Sequence, residues 1–434
     1  DLHGEGHSFP TRRSSDLIKL NRADGSEYGS LDFNKQRTAG LFHEKSSSYL
    51  KLDSRFEDIS FVSPDGKTPI RMGVMEIMHN LEKEGQLYSG PTSYAFRNIS
   101  ITDGQDSEIT LGAVELNGNI KGMNLNFVEQ YQEKLLEIRK KYLDVFNDLE
   151  DFSNNETNEE ELLQSSKDVR QMFTELTGVL GDIFQGFDSE FVLKNFDFSH
   201  KAKNGKDVNF SLARLSAGVG IDGMDRDKID IKYNFGYQGF SSPAIPQNMR
   251  QYVPESMNMA FTVNDFPLSE ILEIVIEMAA NSSPENRQAM AMQSAMMAPQ
   301  ILSQAGTSLI ISDTFIGNDA YRARMNGVVN ADSQAVHKAT MDAKIELQNL
   351  AGLIQSLQQS AQTAESKSLA RTYTQAIQAL SMVQMFGQVS PQNQNTRDYN
   401  LTLDRNGQFL INGTSLQQLM GAGPSRGGAQ QQRP

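Results

Sequence analysis

Phe96-Arg97-Asn98-Ile99-Ser100-Ile101 is followed by Asp103-Gly104 and then by Ile109, Leu111, Val114 and Leu116. Apolar residues recur near every second position on both sides of a dipeptide that tolerates positive φ, which predicts a β-hairpin with one buried face. Working outward, Phe56, Ile59 and Phe61 form an earlier run of the same kind. Ser63-Pro64-Asp65-Gly66 and Asn117-Gly118 supply the residues of further hairpin turns. A six-residue echo joins three places: Phe56-Glu57-Asp58-Ile59-Ser60-Phe61, Phe96 to Ile101, and Leu193-Lys194-Asn195-Phe196-Asp197-Phe198. It suggests that a strand unit is repeated.

From Phe127 the apolar period lengthens to three or four: Tyr131, Leu135, Ile138, Tyr142, Phe146, Leu149. That is the stripe of an amphipathic helix. A second helix begins at Thr157, with Glu160 placed to close a capping box, so residues 127–187 read as a helical hairpin. Strands resume from Phe191 to Phe240, turning at Asn204-Gly205. Pro243, Pro246 and Pro254 then mark a linker, 243–256. Beyond it the order repeats: a strand over Met257–Val263, helices near 267–305, strands from Ser308 to Lys344, and helices near 346–387 that end at Gly387. Ser283-Pro284 has the form of a helix start, and Pro299 predicts a bend or stop. Leu401 and Leu403 face Phe409 and Ile411 across Asp404-Arg405-Asn406-Gly407, a closing hairpin. The fold expected is α+β: two related modules, 18–242 and 257–420, each a curved antiparallel sheet with amphipathic helix pairs packed on one face. The Gly, Gln and Pro-rich 421–434 reads as a disordered tail.

Composition narrows the function. The 434 residues carry 54 acidic and 40 basic side chains, a formal charge of −14. That excess argues against a nucleic-acid partner, because phosphate binding rests on a basic footprint. No cysteine is present, so disulfides and thiolate metal sites are excluded, and scattered histidines make zinc a poor fit. No apolar run has the length of a membrane span.

Chemical motifs are sparse. Gly218-Val219-Gly220-Ile221-Asp222-Gly223 spells a dinucleotide fingerprint, but Asp227 to Tyr233 alternates like a strand where that motif needs a helix, so it reads as a glycine-rich turn. Asp222, Asp225, Asp227 and Asp230 lack the spacing of a calcium loop. His79, His200 and His337 have no nucleophile beside them in sequence, and no catalytic, cofactor or metal residue is expected. A hydrolase whose site assembles only in three dimensions is the alternative.

Leu268 to Gly306 is the most apolar helical stretch. Glu270, Glu273 and Glu277 form one narrow polar stripe, while Ile271, Ile274, Val275 and Met278 belong to an apolar arc wider than a sheet contact requires. The next helix offers Met290, Met292, Met296 and Met297, flexible thioethers suited to core gaps or to varied apolar ligands. These eight residues are the candidate binding surface, for an acyl chain or a partner's amphipathic helix.

The layout, closing on Leu401-Thr402-Leu403-Asp404-Arg405-Asn406-Gly407-Gln408-Phe409-Leu410-Ile411-Asn412-Gly413, resembles the YdgA-like family of bacterial envelope proteins. That resemblance implies a periplasmic protein with an inner-membrane anchor ahead of it, a lipid or membrane-protein partner, and no catalytic residues to carry over. The expected function is a non-catalytic envelope binding or scaffold protein without cofactor.

Asp1-Leu2-His3, three further residues, and then His7-Ser8-Phe9-Pro10-Thr11-Arg12-Arg13-Ser14-Ser15-Asp16-Leu17 match one reading frame of a common indexed sequencing adapter. Residues 1–17 are therefore expected to be an artefact that displaced the native start, anchor included. Long-read sequencing of the source locus is the check. The expected read has no codons for Phe9-Pro10-Thr11-Arg12-Arg13 and encodes a hydrophobic anchor or signal there.

Overall fold

The computed structural model describes residues 18–21, 27–43, 48–63, 70–102, 107–125, 181–201, 207–280, 287–416 and 418, together with positions 127, 131, 134, 136, 137, 140, 175 and 179. Antiparallel sheet predominates. Strands β1 (Ile18–Asn21), β2 (Glu27–Asp32), β3 (Lys35–His43), β4 (Ser48–Val62), β5 (Ile70–Asn80), β6 (Glu82–Glu84), β7 (Leu87–Thr102) and β8 (Ser107–Met123) form the first run. Next come β9 (Gly186–His200), β10 (Val208–Asp222), β11 (Ile229–Gln238), β12 (Ser256–Phe266), β13 (Ser308–Gly317), β14 (Arg322–Ala331) and β15 (Ala339–Gln348). The last are β16 (Gln388–Val389), β17 (Thr396–Leu403), β18 (Phe409–Ile411) and β19 (Thr414–Ser415).

The long strands pair almost in sequence order, β4–β5–β7–β8–β9–β10–β11–β12–β13–β14–β15–β17. Short strands finish the edges, β1, β2 and β3 at one end and β16, β18 and β19 at the other. The proline-containing stretch is a loop between neighbours: Gln238 pairs with Ser256, so one ladder runs through both halves.

Helices interrupt this meander at strand ends. Those described from end to end are α1 (Gln247–Arg250), α2 (Leu268–Ala280), α3 (Arg287–Ala305), α4 (Leu350–Gln362) and α5 (Lys367–Phe386). Ser366 caps α5 by accepting from the Leu369 N–H at 3.2 Å. The pair α4 and α5 packs together and meets the interstrand loop, where Tyr252 Oη lies 3.0 and 2.8 Å from the hydroxyls of Ser356 and Ser360. Leu350, Ile354, Leu357 and Tyr373 are their buried residues.

One flank of the sheet carries a run of ion pairs from strand to strand. Arg55 meets Glu57 and Glu76, Arg97 meets Glu76 (3.2 Å) and Glu115 (3.5 Å), and Lys194 reaches Glu115 at 2.8 Å. Each exposed pair contributes at most about 1 kcal/mol, but together they shield the short side chains beneath. Ala95, Ala113 and Val192 are buried there, in rows with Glu115 and Lys194. A small apolar cluster, Leu50, Leu81, Tyr88 and Leu125, closes the end of the first half.

Several expectations from the sequence change. Asn117 and Gly118 are not a turn; they sit inside β8, paired with Ser93 and Thr92. A Cβ on Gly118 would lie 2.7 Å from Thr92 Oγ1, so the glycine serves close strand approach. Gly218 to Asp222 likewise belong to β10, and Gly223, at φ 81°, makes the turn. Pro299 lies within α3, which continues to Ala305. The closing hairpin pairs as expected, Leu401 with Ile411 and Leu403 with Phe409, and Gly407 takes φ 77°. The turns at 63–66, 103–104 and 204–205, the Thr157 box, the Ser283-Pro284 start, most of the 127–187 hairpin, 1–17 and the tail from 421 lie outside the described residues, although Phe127, Tyr131 and Val179 are helical.

Replacing Gly118 with valine should therefore act as overpacking inside a strand. A loss of about 1–3 kcal/mol is expected, read as a lowered midpoint in urea or thermal unfolding.

Candidate functional site

The apolar stretch after β12 starts from a tightly fixed base. Pro267 is among the most deeply buried residues described, and its carbonyl accepts the Ile271 N–H at 3.1 Å as α2 begins. Asp265 holds φ 51° and donates its N–H to Asp230 Oδ1 at 3.0 Å, while its carbonyl accepts from Thr307 Oγ1 at 2.9 Å. Lys228 Nζ donates to the Ala305 carbonyl at 2.6 Å, a cation on the C-terminal end of α3. Ser303 Oγ accepts from the Ser333 N–H at 3.0 Å. The entry of α2 and the exit of α3 are thus tied to the ends of β11 to β14.

Within this frame the candidate residues separate. Ile274 is buried and Ile271 half-buried, with Glu270 and Glu273 exposed, so this face of α2 is turned inward. Met292, Met296 and Met297 are 69%, 74% and 40% exposed. Met292 and Met296 are thus at the surface and do not fill the contact of α3 with α2 and strands β12 and β14. Val275, Met278 and Met290 are helical, and their side chains lie outside the described residues.

Two concavities occur elsewhere among the described residues. One, of about 540 Å³, crosses β8 to β12 and is lined by Asn117, Glu190, Gly218, Tyr233, Asn234 and Phe261 among others. The second, of about 380 Å³, lies at Thr110, Phe198, Phe210 and Pro243. Both fall in the range of small-molecule sites, yet neither is lined by α2 or α3. The first sits where Gly218 and Gly220 leave room for the side chains of Asn234 and Asp188, which a Cβ would strike. Glycines inside alternating strands were the available signal, read from the sequence as a turn.

The titratable groups do not converge. Among the described residues no three His, Asp or Glu side chains are grouped to hold a metal. Asp222 pairs with Lys121 at 3.1 Å, Asp225 accepts from Gln185 at 3.0 Å, and Asp230 is bound to the Asp265 backbone. Ser107 Oγ lies 2.8 Å from His200 Nδ1. These two are directly opposed across β8 and β9, and neither lines either concavity. His79 Nε2 lies 3.2 Å from Tyr94 Oη, and burial pushes its pKa below the ordinary histidine value. A Cβ on Gly407 would meet His337 Nε2 at 3.0 Å, at the closing hairpin. No protein-family model, curated protein or solved structure matches the chain.

The His79 shift has a stability consequence. Because the folded state favours neutral imidazole, its contribution is complete above the unfolded pKa of about 6.5 and is lost as pH falls through the lower folded value. Unfolding midpoints for the parent and His79→Gln should converge as pH falls from about 7.5 to about 5. Parallel pH profiles would show that His79 titrates alike in both states.

Proposed function

We propose that the protein is a non-catalytic binding or scaffold protein of a bacterial envelope, which holds an acyl chain or a partner's amphipathic helix on the methionine face of α3. One observation carries this reading. Met292 and Met296 stand 69% and 74% exposed on a helix whose C-terminal end is fixed to the sheet. Burying such a side chain is worth about 1.5–3 kcal/mol, so a partner that covers both gains substantially, and thioethers adapt to varied apolar shapes. The layout supports two related modules, 18–242 and 257–420, with curved sheets and helix pairs on one face. The periplasmic location belongs to the same proposal and rests on the resemblance of the layout to YdgA-like proteins. No described helix is long and apolar enough to cross a membrane.

The Ser107–His200 contact favours a second reading, a hydrolase with serine as nucleophile and histidine as base. Its place outside both concavities weighs against a substrate seat.

Native mass spectrometry of the purified protein, before and after incubation with phosphatidylethanolamine–phosphatidylglycerol vesicles, separates the two. A bound lipid is expected, with at least about a tenfold loss of occupancy in Met292→Glu/Met296→Glu. No lipid bound and none loadable removes the acyl-chain form of the proposal. Labelling by a fluorophosphonate that disappears in Ser107→Ala replaces it with the hydrolase.

A further inference from the structure

The three echoed segments share a backbone feature. Asp58, Asn98 and Asn195, the third residue of each, have φ of 55°, 55° and 48°. Left-handed backbone in the middle of a long strand is uncommon, and among residues with a side chain Asn and Asp adopt it at least cost. The registers align all three in one transverse line. Asp58 falls between the pairs Glu57–Val74 and Ile59–Met72, hence opposite Gly73, and Gly73 falls opposite Asn98. Asn98 in turn faces Gly112, Gly112 faces Asn195, and Asn195 faces Ala213. Asn34, between β2 and β3, extends the line through its Nδ2 bond to Asp58 Oδ2 at 3.2 Å.

The glycines leave room for the Asn side chains. A Cβ on Gly73 would lie 3.1 Å from both Cβ and Nδ2 of Asn98, and one on Gly112 would lie 2.9 Å from Asn195 Nδ2. The sequence spacing has the same origin. Phe96, Ile99 and Ile101 are three and then two apart, as are Phe56, Ile59, Phe61 and Leu193, Phe196, Phe198. Strict alternation would put the first of each set on the opposite face from the other two. A left-handed residue between them re-aims the chain, as a bulge does, and restores all three to one face.

We propose that this Asx–Gly line is a crease built into the sheet, a conformational device that returns the apolar side chains beyond it to the face they held before it. The left-handed backbone, not the amide group, is its working part. One row then holds Phe56, Met75, Phe96, Val114, Leu193 and Leu215, and the row across the crease holds Ile59, Met72, Ile99, Leu111, Phe196 and Leu212.

The test uses the absence of native cysteines. Spin labels at Glu108→Cys and Asn119→Cys report the distance across Gly112, and thermal unfolding reports stability. Asn98→Gly and Asn195→Gly should keep both the distance and the midpoint, because glycine enters the left-handed region freely. Asn98→Val should lower the midpoint by about 2–8 °C and lengthen or broaden the distance. If the valine variant does not fold, Asn98→Ala is read in the same way. The proposal is overturned if valine or alanine matches glycine in both measurements, if glycine fails as they do, or if the midpoint falls while the distance stays fixed.

Discussion

A β-strand has two faces and shows them in strict alternation, and that constraint governs the rest of this protein. Strands of fifteen to seventeen residues, such as β4, β7, β8 and β9, must keep apolar side chains on one face over a length at which any interruption moves them to the other. In β4, β7 and β9 a positive-φ Asx residue meets the requirement locally, and β8 has Gly112 opposite two of them. The cross-strand registers extend it from β4 to β10, and the ion pairs from Arg55 to Lys194 shield the short apolar side chains on the opposite flank.

How much of this was legible in the sequence follows from how local each signal is. Leu401 to Ile411 was read correctly because a two-sided apolar run around Asp404-Arg405-Asn406-Gly407 contains its own explanation. Asn117-Gly118 and Gly218 to Gly220 misled for one reason. The residues that permit a turn also permit another chain to approach closely, and only the neighbouring strand decides which use applies. The echo at 56, 96 and 193 was visible as spelling, but its meaning lay in φ and in the glycines opposite, forty or more positions away in places. Pro299 was expected to bend or end its helix; α3 does not end there but continues to Ala305, where its exit is anchored through Ala305 and Ser303.

The candidate surface shows a similar division. The apolar character of α2 and α3 was evident from composition, yet burial separates Ile274, turned inward, from Met292 and Met296, turned outward. Spacing alone does not assign an alanine- and methionine-rich helix a preferred face. The Ser107–His200 contact was invisible for the opposite reason, since ninety-three positions separate partners that only the β8–β9 register brings together.

The order of the strands has a kinetic meaning. Because nearly every long strand pairs with the one before it in the chain, most contacts close within one hairpin, and formation can spread along the sheet as in a quasi-one-dimensional array. Three closures are longer: β8 with β9 across Asn124 to Gln185, β12 with β13 across Pro267 to Thr307, and β15 with β17 across Asn349 to Asn395. Loop entropy grows only slowly with length, so the three cost similar amounts. They divide the ladder into β4 to β8, β9 to β12, β13 to β15 and β17 onward, runs that can each zip internally and then join at the long closures.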